Sequence, residues 1–260
     1  MTTTQRSSES HEPDQTEPLA EIDDVPERAM VVFAHPDDAE IGTGSTIAKW
    51  VANGCHVVFV ACTTGSSGSN DPDMDSDRIV KIRRQEQEAA AAVLGVGEVV
   101  FLDHPDGGLE DDRTFRGELV RAIRKHKPHT VFCHDPHRIR GFQHRDHRMV
   151  GIVTGDAIYP FARDHLHFPE HIKEEGLEPH KVRRLLMWGA DEPDVIVNTS
   201  GGFVETQIEA LGKHSSQVGG LSVAQEGESF GDRLRERAQR AACDHDFEYG
   251  QTFRQLNARA

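Results

Sequence analysis

The sequence predicts an α/β protein built on a mostly parallel sheet with helices on both faces. Short apolar runs typical of buried strands alternate along the chain with longer segments of helical periodicity, and this alternation favours a parallel sheet. Helix stops at Asn53-Gly54 and at Gly95 separate the two kinds of segment. With 260 residues, the chain is long enough to bury one substantial core.

Each strand is predicted from an apolar run and each helix from its periodicity. The five strands are 30–34, 56–62, 99–102, 130–133 and 185–188. The helices between them are 42–53, 77–94, 115–126 and 147–158, and two later helical patterns are 203–211 and 231–242. Residues 161–181 are rich in Pro, His and Glu, so we expect an irregular excursion on the surface.

The beginning of the chain differs in composition from the rest. It is rich in Ser, Thr, Glu, Asp and Pro, so we expect residues 1–26 to be a disordered acidic segment and residues 27–260 to form a single domain. A basic region followed by an apolar one is not found there, and no run approaches the ~20 apolar residues of a membrane helix. The four cysteines have no C-x-x-C spacing, and together these features predict a cytoplasmic protein.

The charge of the chain restricts its partners. It has 29 Lys and Arg against 44 Asp and Glu, which gives a formal net charge of −15. We therefore expect it to bind neither nucleic acid nor an anionic membrane, because both carry negative charge. An excess of carboxylates is also typical of a salt-adapted surface, which we treat as a hypothesis.

A histidine and two carboxylates directly follow the first predicted strand. His35, Asp37 and Asp38 lie where that strand ends and the next helix begins. Ligands collect at the carboxyl ends of strands in open α/β sheets, and a His and an Asp three residues apart can hold one cation there. Asp37 between them is then free to transfer a proton. A helix N-cap would explain one Asp but not the preceding His.

Two further histidines, His144 and His147, precede the apolar helical stretch after the fourth strand. Their i, i+3 spacing places both rings on one face of a helix. Three protein ligands and a water are the usual arrangement of catalytic zinc, and His35, Asp38 and His147 would supply those ligands. A second ligand set stays open, because two more histidines lie in the loop before the helix, at 134 and 137.

These two motifs resemble the signature of the PIG-L/LmbE-like zinc de-N-acetylases. The resemblance rests on segments 34–40 and 144–148 and extends to segments 83–86, 94–96, 102–107 and 214–217. It covers about residues 30–218 and implies a Rossmann-like α/β domain with one Zn²⁺ per chain. Two positions depart from the family pattern: Arg145 stands where Pro is usual, and segment 205–208 lacks a common Lys.

The resemblance also implies roles for the site residues. Asp37 would act as general base, and His144 would stabilise the oxyanion or protonate the leaving amine. The resemblance favours His147 over His134 and His137 as the third metal ligand. Four further residues are implied to bind substrate or to support the site: Arg83, Asp106, Asp146 and His214.

Simpler interpretations stay open for several of these residues. Arg83 and Glu86, one helical turn apart, could form a surface ion pair worth a few tenths of a kcal/mol. Asp106 could belong to a turn with the glycines that follow it, and Asp146 could be exposed on the surface. Segment 42–46 is glycine-rich but does not match the phosphate-loop pattern, which argues against a nucleotide binder.

The resemblance implies removal of the N-acetyl group from a GlcNAc-type substrate, with release of acetate. That substrate would be a free sugar, a chito-oligosaccharide or a GlcNAc conjugate, and many relatives assemble as trimers or hexamers. One alternative is an amidase that acts on a thiol or sugar conjugate with the same zinc site. Another is a non-catalytic metal-containing α/β binding protein, whose structural zinc would normally be closed by four protein ligands.

Overall fold

One eight-stranded sheet forms the centre of the protein. The computed structural model describes residues 18–221 and 229–257. The strands are β1 Ala20–Glu21, β2 Arg28–Phe33, β3 His56–Thr63, β4 Glu98–His104, β5 Thr130–His134, β6 Arg184–Trp188, β7 Val195–Asn198 and β8 Gly250–Asn257. The helices are α1 Asp38–Ala52, α2 Ser76–Leu94, α3 Arg113–His126, α4 Arg145–Asp156, α5 Pro169–Glu175, α6 Phe203–Leu211, α7 Ser215–Leu221 and α8 Phe230–Ala241. A short π-helical segment, Ala157–Ala162, continues α4.

The order of the strands places a crevice at the centre of the sheet. That order is β1-β7-β8-β6-β5-β2-β3-β4, and β2 pairs in parallel with β3 on one side and with β5 on the other. From β2 the chain passes outward through β3 and β4, then returns to β5 and β6 on the opposite side. The direction of winding therefore reverses between β2 and β5, and ligands usually bind at such a switch point. Only β8 runs antiparallel to its neighbours, β6 and β7.

Both faces of the central strands are buried, which explains their continuous apolar runs. In β2, Val31 and Phe33 pack into a core layer with α1 and α2, whereas Met30 and Val32 pack into a second layer with α3 and α4. None of these four side chains is more than 1% exposed, and burial of each contributes roughly 1.5–3 kcal/mol. This packing fixes the point at which the chain leaves β2, directly before the first site motif.

All five predicted strands and all six predicted helices are present in the structure. The structure adds β1, β7, β8, α5 and α7, which the sequence patterns do not reveal. In β8 most side chains are polar, and Phe253 is the fully buried apolar one. A strand of this kind is held by its backbone pairing with β6 and β7, and local hydrophobic alternation does not report such pairing. Among the described helices, none is long and apolar enough to cross a membrane.

The expected boundary at residue 26 is not where the fold begins. Residues 1–17 of the segment expected to be disordered lie outside the described residues. After them, Ala20–Glu21 pairs in parallel with β7, and the backbone N–H of Ile22 donates to the carbonyl of Ile196 at 2.8 Å. Ile22 is 5% exposed and belongs to the core. The acidic composition of this segment predicted disorder, but its apolar residue Ile22 anchors it to the edge of the sheet.

The expectation of an irregular surface excursion at 161–181 was wrong for the middle of that segment. It contains α5, and both Phe168 and His171 are buried. Arg124, which is fully buried near the end of α3, organises the preceding loop. Its guanidinium donates hydrogen bonds to five backbone carbonyls, those of Phe161, Ala162, Asp164, His167 and Phe168. The loop is therefore ordered by one distant cation rather than by an apolar pattern of its own.

We expect Arg124→Gln to destabilise the fold by about 3–5 kcal/mol, because it leaves several buried carbonyls without a donor. Urea unfolding followed by circular dichroism measures this change. Arg121→Gln is the matched control on the same helix, since Arg121 is half-exposed and pairs with Glu175 on the surface. The control should change stability by no more than about 0.5 kcal/mol; equal losses in the two variants would contradict the role assigned to Arg124.

Candidate metal centre

The residues predicted to bind metal lie together at the switch point between β2 and β5. His35 directly follows β2, and Asp38 begins α1. His147 lies in the first turn of α4, which follows the loop after β5. Because β2 and β5 are parallel neighbours, their carboxyl ends open at the same edge of the sheet. Two segments more than 100 residues apart in sequence therefore meet at one point.

The distances between donor atoms of three residues suit a single divalent ion, and each histidine contacts a different carboxylate oxygen of Asp38. Nδ1 of His35 lies 3.2 Å from Nε2 of His147 and 3.3 Å from Oδ2 of Asp38. Nε2 of His147 lies 3.2 Å from Oδ1 of Asp38. Ligands about 2.0–2.2 Å from a tetrahedral ion are separated from one another by roughly 3.3–3.6 Å. Two imidazole nitrogens that face each other so closely need a proton or a metal ion between them.

The second ring nitrogen of His35 is held by two carboxylates. Its Nε2 lies 3.2 Å from Oδ1 of Asp106 and 3.2 Å from Oδ2 of Asp146. Burial alone would lower the pKa of His35, but hydrogen bonds with Asp106, Asp146 and Asp38 raise it to about 11. The ring therefore binds a second proton strongly, and a metal ion can take the place of the proton on Nδ1. Carboxylates behind a histidine ligand orient the ring and raise its basicity in this way.

Asp106 and Asp146 also tie neighbouring loops to the centre. Asp146 is fully buried, and its side chain accepts hydrogen bonds from the backbone N–H groups of Gly107 at 2.7 Å and Leu109 at 3.2 Å. Asp106 accepts one from the N–H of Ser67 at 3.1 Å. The hydrogen bond with His35 lowers the pKa of Asp106 to about 2. The interpretation of Asp146 as an exposed residue is therefore wrong. Asp106 does lie in a turn, which the N–H of Gly108 closes on the carbonyl of Pro105 at 3.1 Å, but its carboxylate also contacts His35.

Asp37, which precedes the predicted ligand Asp38, has an unusual backbone conformation. Its φ of 110° lies in the left-handed region, which is strained for a residue with a side chain. Asp37 occupies the N-cap position of α1, yet its side chain makes no capping hydrogen bond. Burial first, and then the charge of Asp38, raise the pKa of Asp37 to about 7. The capping interpretation therefore fails, and the carboxylate remains available for proton transfer.

The backbone around Asp37 is held by two side chains of α2. Its N–H donates to Oε1 of Gln87 at 3.1 Å. Arg83 donates to the carbonyl of Pro36 at 2.5 Å and lies 3.4 Å from Oδ2 of Asp37. Arg83 also donates to the carbonyl of Gly65 at 3.1 Å. The expected substrate clamp is thus a buried side chain, 3% exposed, whose described hydrogen bonds go to the protein.

His144 caps α4 through one of its two ring nitrogens. Its Nδ1 accepts a hydrogen bond from the backbone N–H of Asp146 at 3.1 Å. The proton of a neutral ring must then lie on Nε2, which makes Nε2–H a donor. The ring packs edge-on against His35, with centroids 4.5 Å apart, and its side chain is 45% exposed. Burial, followed by the charge of His35, lowers the pKa of His144.

His134 belongs to the centre more closely than the sequence indicates. The chain pattern suggested a polar loop residue, but His134 ends β5 and is 4% exposed. Its ring stacks on His147 with centroids 4.0 Å apart, and its Nε2 lies 3.3 Å from Oδ2 of Asp38. Burial lowers the pKa of His134 to about 4, so this ring is neutral near pH 7. Its position at the end of a buried strand was the signal that could have identified it.

Several overlapping sets of donor atoms surround the same point. Within the described residues, three groups lie close enough to hold an ion: His35, His144 and His147; Asp38, His134 and His147; and His35, Asp106, His144 and Asp146. The predicted ligands His35, Asp38 and His147 are not themselves one of these groups, but His35 and His147 share the first and Asp38 and His147 share the second. Beside them is a cleft of about 310 Å³ that is partly lined by Asp38, His134 and His147. The donor set is therefore open on one side to a small molecule.

Sequence comparison agrees with this geometry. The PIG-L family model, described as GlcNAc-PI de-N-acetylase, matches residues 30–158. Diacetylchitobiose deacetylase of Thermococcus kodakarensis is 30% identical over 190 residues, which are 73% of this chain and 70% of that protein. The chain belongs to the PIG-L family. Mycothiol S-conjugate amidase of Streptomyces coelicolor is 34% identical over 176 residues, 60% of this chain but only 59% of the amidase.

A solved PIG-L-type structure has the same architecture. N,N′-diacetylchitobiose deacetylase from Pyrococcus horikoshii, in complex with its inhibitor MPG, superimposes with a TM-score of 0.79 at 27% sequence identity. The superposition covers 89% of this chain and 84% of that chain. The α/β fold predicted from the sequence, with one central sheet flanked by helices, is therefore confirmed.

The remaining predicted site residue, His214, lies behind this PIG-L site. It is fully buried, and its Nε2 lies 3.2 Å from Oε2 of Glu40 on α1. Oε1 of Glu40 accepts a hydrogen bond from Gln87 at 2.8 Å, which in turn supports the backbone of Asp37. The path His214–Glu40–Gln87–Asp37 thus connects His214 to the site. Direct contact with a substrate would require His214 to be exposed, so we assign it a supporting position.

The surface ion pair considered for Arg83 and Glu86 does not form. Both residues are buried, and Glu86 interacts with the start of α7 instead. Its carboxylate accepts hydrogen bonds from the hydroxyls of Ser215 and Ser216 at 2.8 and 2.6 Å, and from the N–H of Ser216 at 2.8 Å. Arg83 therefore holds the loops after β2 and β3, and Glu86 holds the start of α7.

We expect Asp146→Asn to lower zinc affinity roughly 10- to 100-fold, because the amide supports the His35 ring less well than a carboxylate does. Competition with a chromogenic chelator measures the affinity. Asp156→Asn, at the other end of α4, is the control and should bind zinc within about twofold of the native chain. Native-like affinity in Asp146→Asn would show that the contact with His35 does not support metal binding.

Proposed function

We propose that this PIG-L family member is a metal-dependent hydrolase that removes the N-acetyl group from a GlcNAc-type substrate and releases acetate. One observation carries the proposal. Each pair among His35, Asp38 and His147 has donor atoms 3.2–3.3 Å apart, with a different oxygen of Asp38 toward each histidine, and an open cleft lies beside Asp38 and His147. The described polar contact of the Asp37 carboxylate is with Arg83 at 3.4 Å, and no described contact joins this carboxylate to His35 or His147.

Zn²⁺ suits the proposed donor set. Two imidazole nitrogens and one carboxylate oxygen are a usual combination of three protein ligands for catalytic zinc. When bound, zinc supplies Lewis-acid chemistry that polarises a carbonyl and lets water react near neutral pH. We assign His35, Asp38 and His147 as its ligands, with one ion per chain.

Two residues would move or hold protons during amide cleavage. Asp37 takes a proton from the water whose oxygen bonds to the acetamide carbon. The C–N bond then breaks, a proton passes to the amine, and acetate and the free amine leave. In a neutral His144 ring the donor is Nε2–H, because Nδ1 accepts from the backbone of Asp146, and the side chain is 45% exposed. We therefore assign to His144 the stabilisation of the developing oxyanion in preference to the role of acid.

The names of the relatives support an N-acetylated amino sugar as the substrate. The T. kodakarensis relative is a diacetylchitobiose deacetylase. The S. coelicolor relative, an amidase of mycothiol conjugates, supports cleavage of a larger amide as the second candidate. A non-catalytic binding protein is less favoured, because structural zinc is normally enclosed by four protein ligands, whereas a cleft opens beside Asp38 and His147. Assembly as a trimer or hexamer stays a prediction, which sedimentation velocity would measure.

Incubation of the zinc-loaded chain with N-acetylated sugars should release a primary amine and acetate in equal amounts. N-acetylglucosamine, diacetylchitobiose and a GlcNAc–inositol conjugate are the substrates, each tested at low and high salt because the chain carries a net charge of −15. Fluorescamine detects the amine, and a coupled enzyme assay detects acetate. Release of larger acyl groups but not of acetate would favour the amidase, and hydrolysis of none would contradict the proposal.

The variant Asp37→Asn should retain zinc but lose roughly 100- to 10,000-fold in kcat, because the general base is removed while the ligands remain. Asn also tolerates the left-handed backbone at this position. Asp103→Asn is the matched control, since Asp103 also has a positive φ, of 59°, and contacts Arg84 on the surface. A value of kcat near that of the native chain in Asp37→Asn, with zinc content measured as intact, would remove Asp37 as the base.

A further inference from the structure

Two arginines share the cleft beside the metal centre with the predicted metal ligands. Asp38 and His147 line this cleft, and so do Arg138 and Arg237. The two arginines come from different elements, the loop after β5 and helix α8. A molecule bound in the cleft therefore lies near two guanidinium groups as well as near the donor atoms.

The loop that carries Arg138 is held in place by contacts of neighbouring residues. The carboxylate of Asp191 accepts hydrogen bonds from the backbone N–H groups of Ile139 at 2.5 Å and Arg140 at 2.8 Å. Asp135, earlier in the same loop, is paired with Arg254 through two hydrogen bonds of 2.7 Å. No described carboxylate lies within ion-pair distance of the Arg138 guanidinium. The pKa of Asp191 is lowered first by the two backbone hydrogen bonds and also by the charges of Arg138 and Arg140. The loop is anchored, and no ion pair occupies the Arg138 guanidinium.

Arg237 differs from the paired arginines of the same helix. Arg235 pairs with Glu205 at 2.7 Å, and Arg240 pairs with Glu236 at 3.8 Å. Arg237 has no carboxylate partner among the residues that the structure describes. Arg237 is exposed at the surface of α8 and lines the same cleft as Arg138. Two like charges thus face the same cleft in a chain whose formal net charge is −15.

An anion between the two arginines would remove this repulsion. Guanidinium groups bind phosphate through paired N–H donors, and such charge-assisted hydrogen bonds are about twice as strong as neutral ones. A phosphate monoester carries about −1.5 to −2 charges at pH 7, which matches two cations. The cleft volume of about 310 Å³ is at the small end of ligand pockets, which span roughly 300–1,000 Å³. It suits a single sugar ring better than a long chain.

We propose that Arg138 and Arg237 form a phosphoryl-binding subsite, so that the preferred substrate is a phosphorylated N-acetylated amino sugar. The phosphoryl group lies between the two guanidinium groups, and the acetamide reaches the donor atoms of the metal centre. This assignment rests on the proposed function, because it uses the same cleft. It specifies the substrate class further than the family membership does.

Steady-state deacetylation tests the subsite through a ratio of two substrates. The kcat/KM for GlcNAc 6-phosphate or GlcNAc 1-phosphate, divided by that for GlcNAc, should be at least roughly tenfold in the native chain. Arg138→Gln and Arg237→Gln should each lower this ratio roughly 10- to 100-fold. Arg240→Gln, on the same helix but outside the cleft, should leave the ratio unchanged. A ratio near one in the native chain, or a stronger preference for N-acetylmuramate, whose anion is a carboxylate, would overturn the assignment.

A binding measurement separates this assignment from the proposed hydrolysis. Isothermal titration of the zinc-loaded chain with glucosamine 6-phosphate and with glucosamine requires no turnover. We expect tighter binding of the phosphorylated amine, and a loss of that difference in Arg138→Gln and Arg237→Gln. If no sugar is hydrolysed but this pattern is observed, the subsite stands and the deacetylase proposal fails. If binding of the phosphorylated amine is the same in the native chain and both variants, the phosphate contacts another group and the subsite is wrong.

Discussion

The position of the His35 ring is the constraint on which the rest of the site depends. Its two nitrogens face opposite ways, one toward Asp38 and His147 and the other toward Asp106 and Asp146. Each nitrogen therefore has a separate task, because the carboxylates can hold the proton on Nε2 while Nδ1 stays free to bind an ion. Loops after β2 and β4 and the start of α4 all converge on this one ring.

The winding of the sheet makes this convergence possible. β2 is buried on both faces, and its parallel neighbours β3 and β5 lie on opposite sides of it in the sheet. The crevice at this reversal needs no special loop to bring the two motifs together, since both follow the carboxyl ends of adjacent strands. Stability and chemistry are connected here, because the apolar packing of β2 fixes where His35 and the strained Asp37 emerge.

Polar groups that lie behind the donor atoms give the site its rigidity. Arg83 and Gln87 hold the peptide group between Pro36 and Asp37. Glu40 and His214 support Gln87 from the interior. The same family motifs that predicted substrate contacts for Arg83 and His214 therefore mark supporting positions in this structure. A motif records that a residue matters to the site, but burial decides whether it can reach a ligand.

The sequence alone determined the α/β class, the principal strands and helices, and the two motifs with His35, Asp37, Asp38 and His147. These features depend on local periodicity and on spacings of a few residues, which can be recognised in a single chain. Only the tertiary structure decided that His134 belongs to the centre, that β8 completes the sheet and that Arg138 faces the same cleft as Arg237. Arg138 and Arg237 are almost 100 residues apart, and no local pattern records a contact that depends on how the sheet winds.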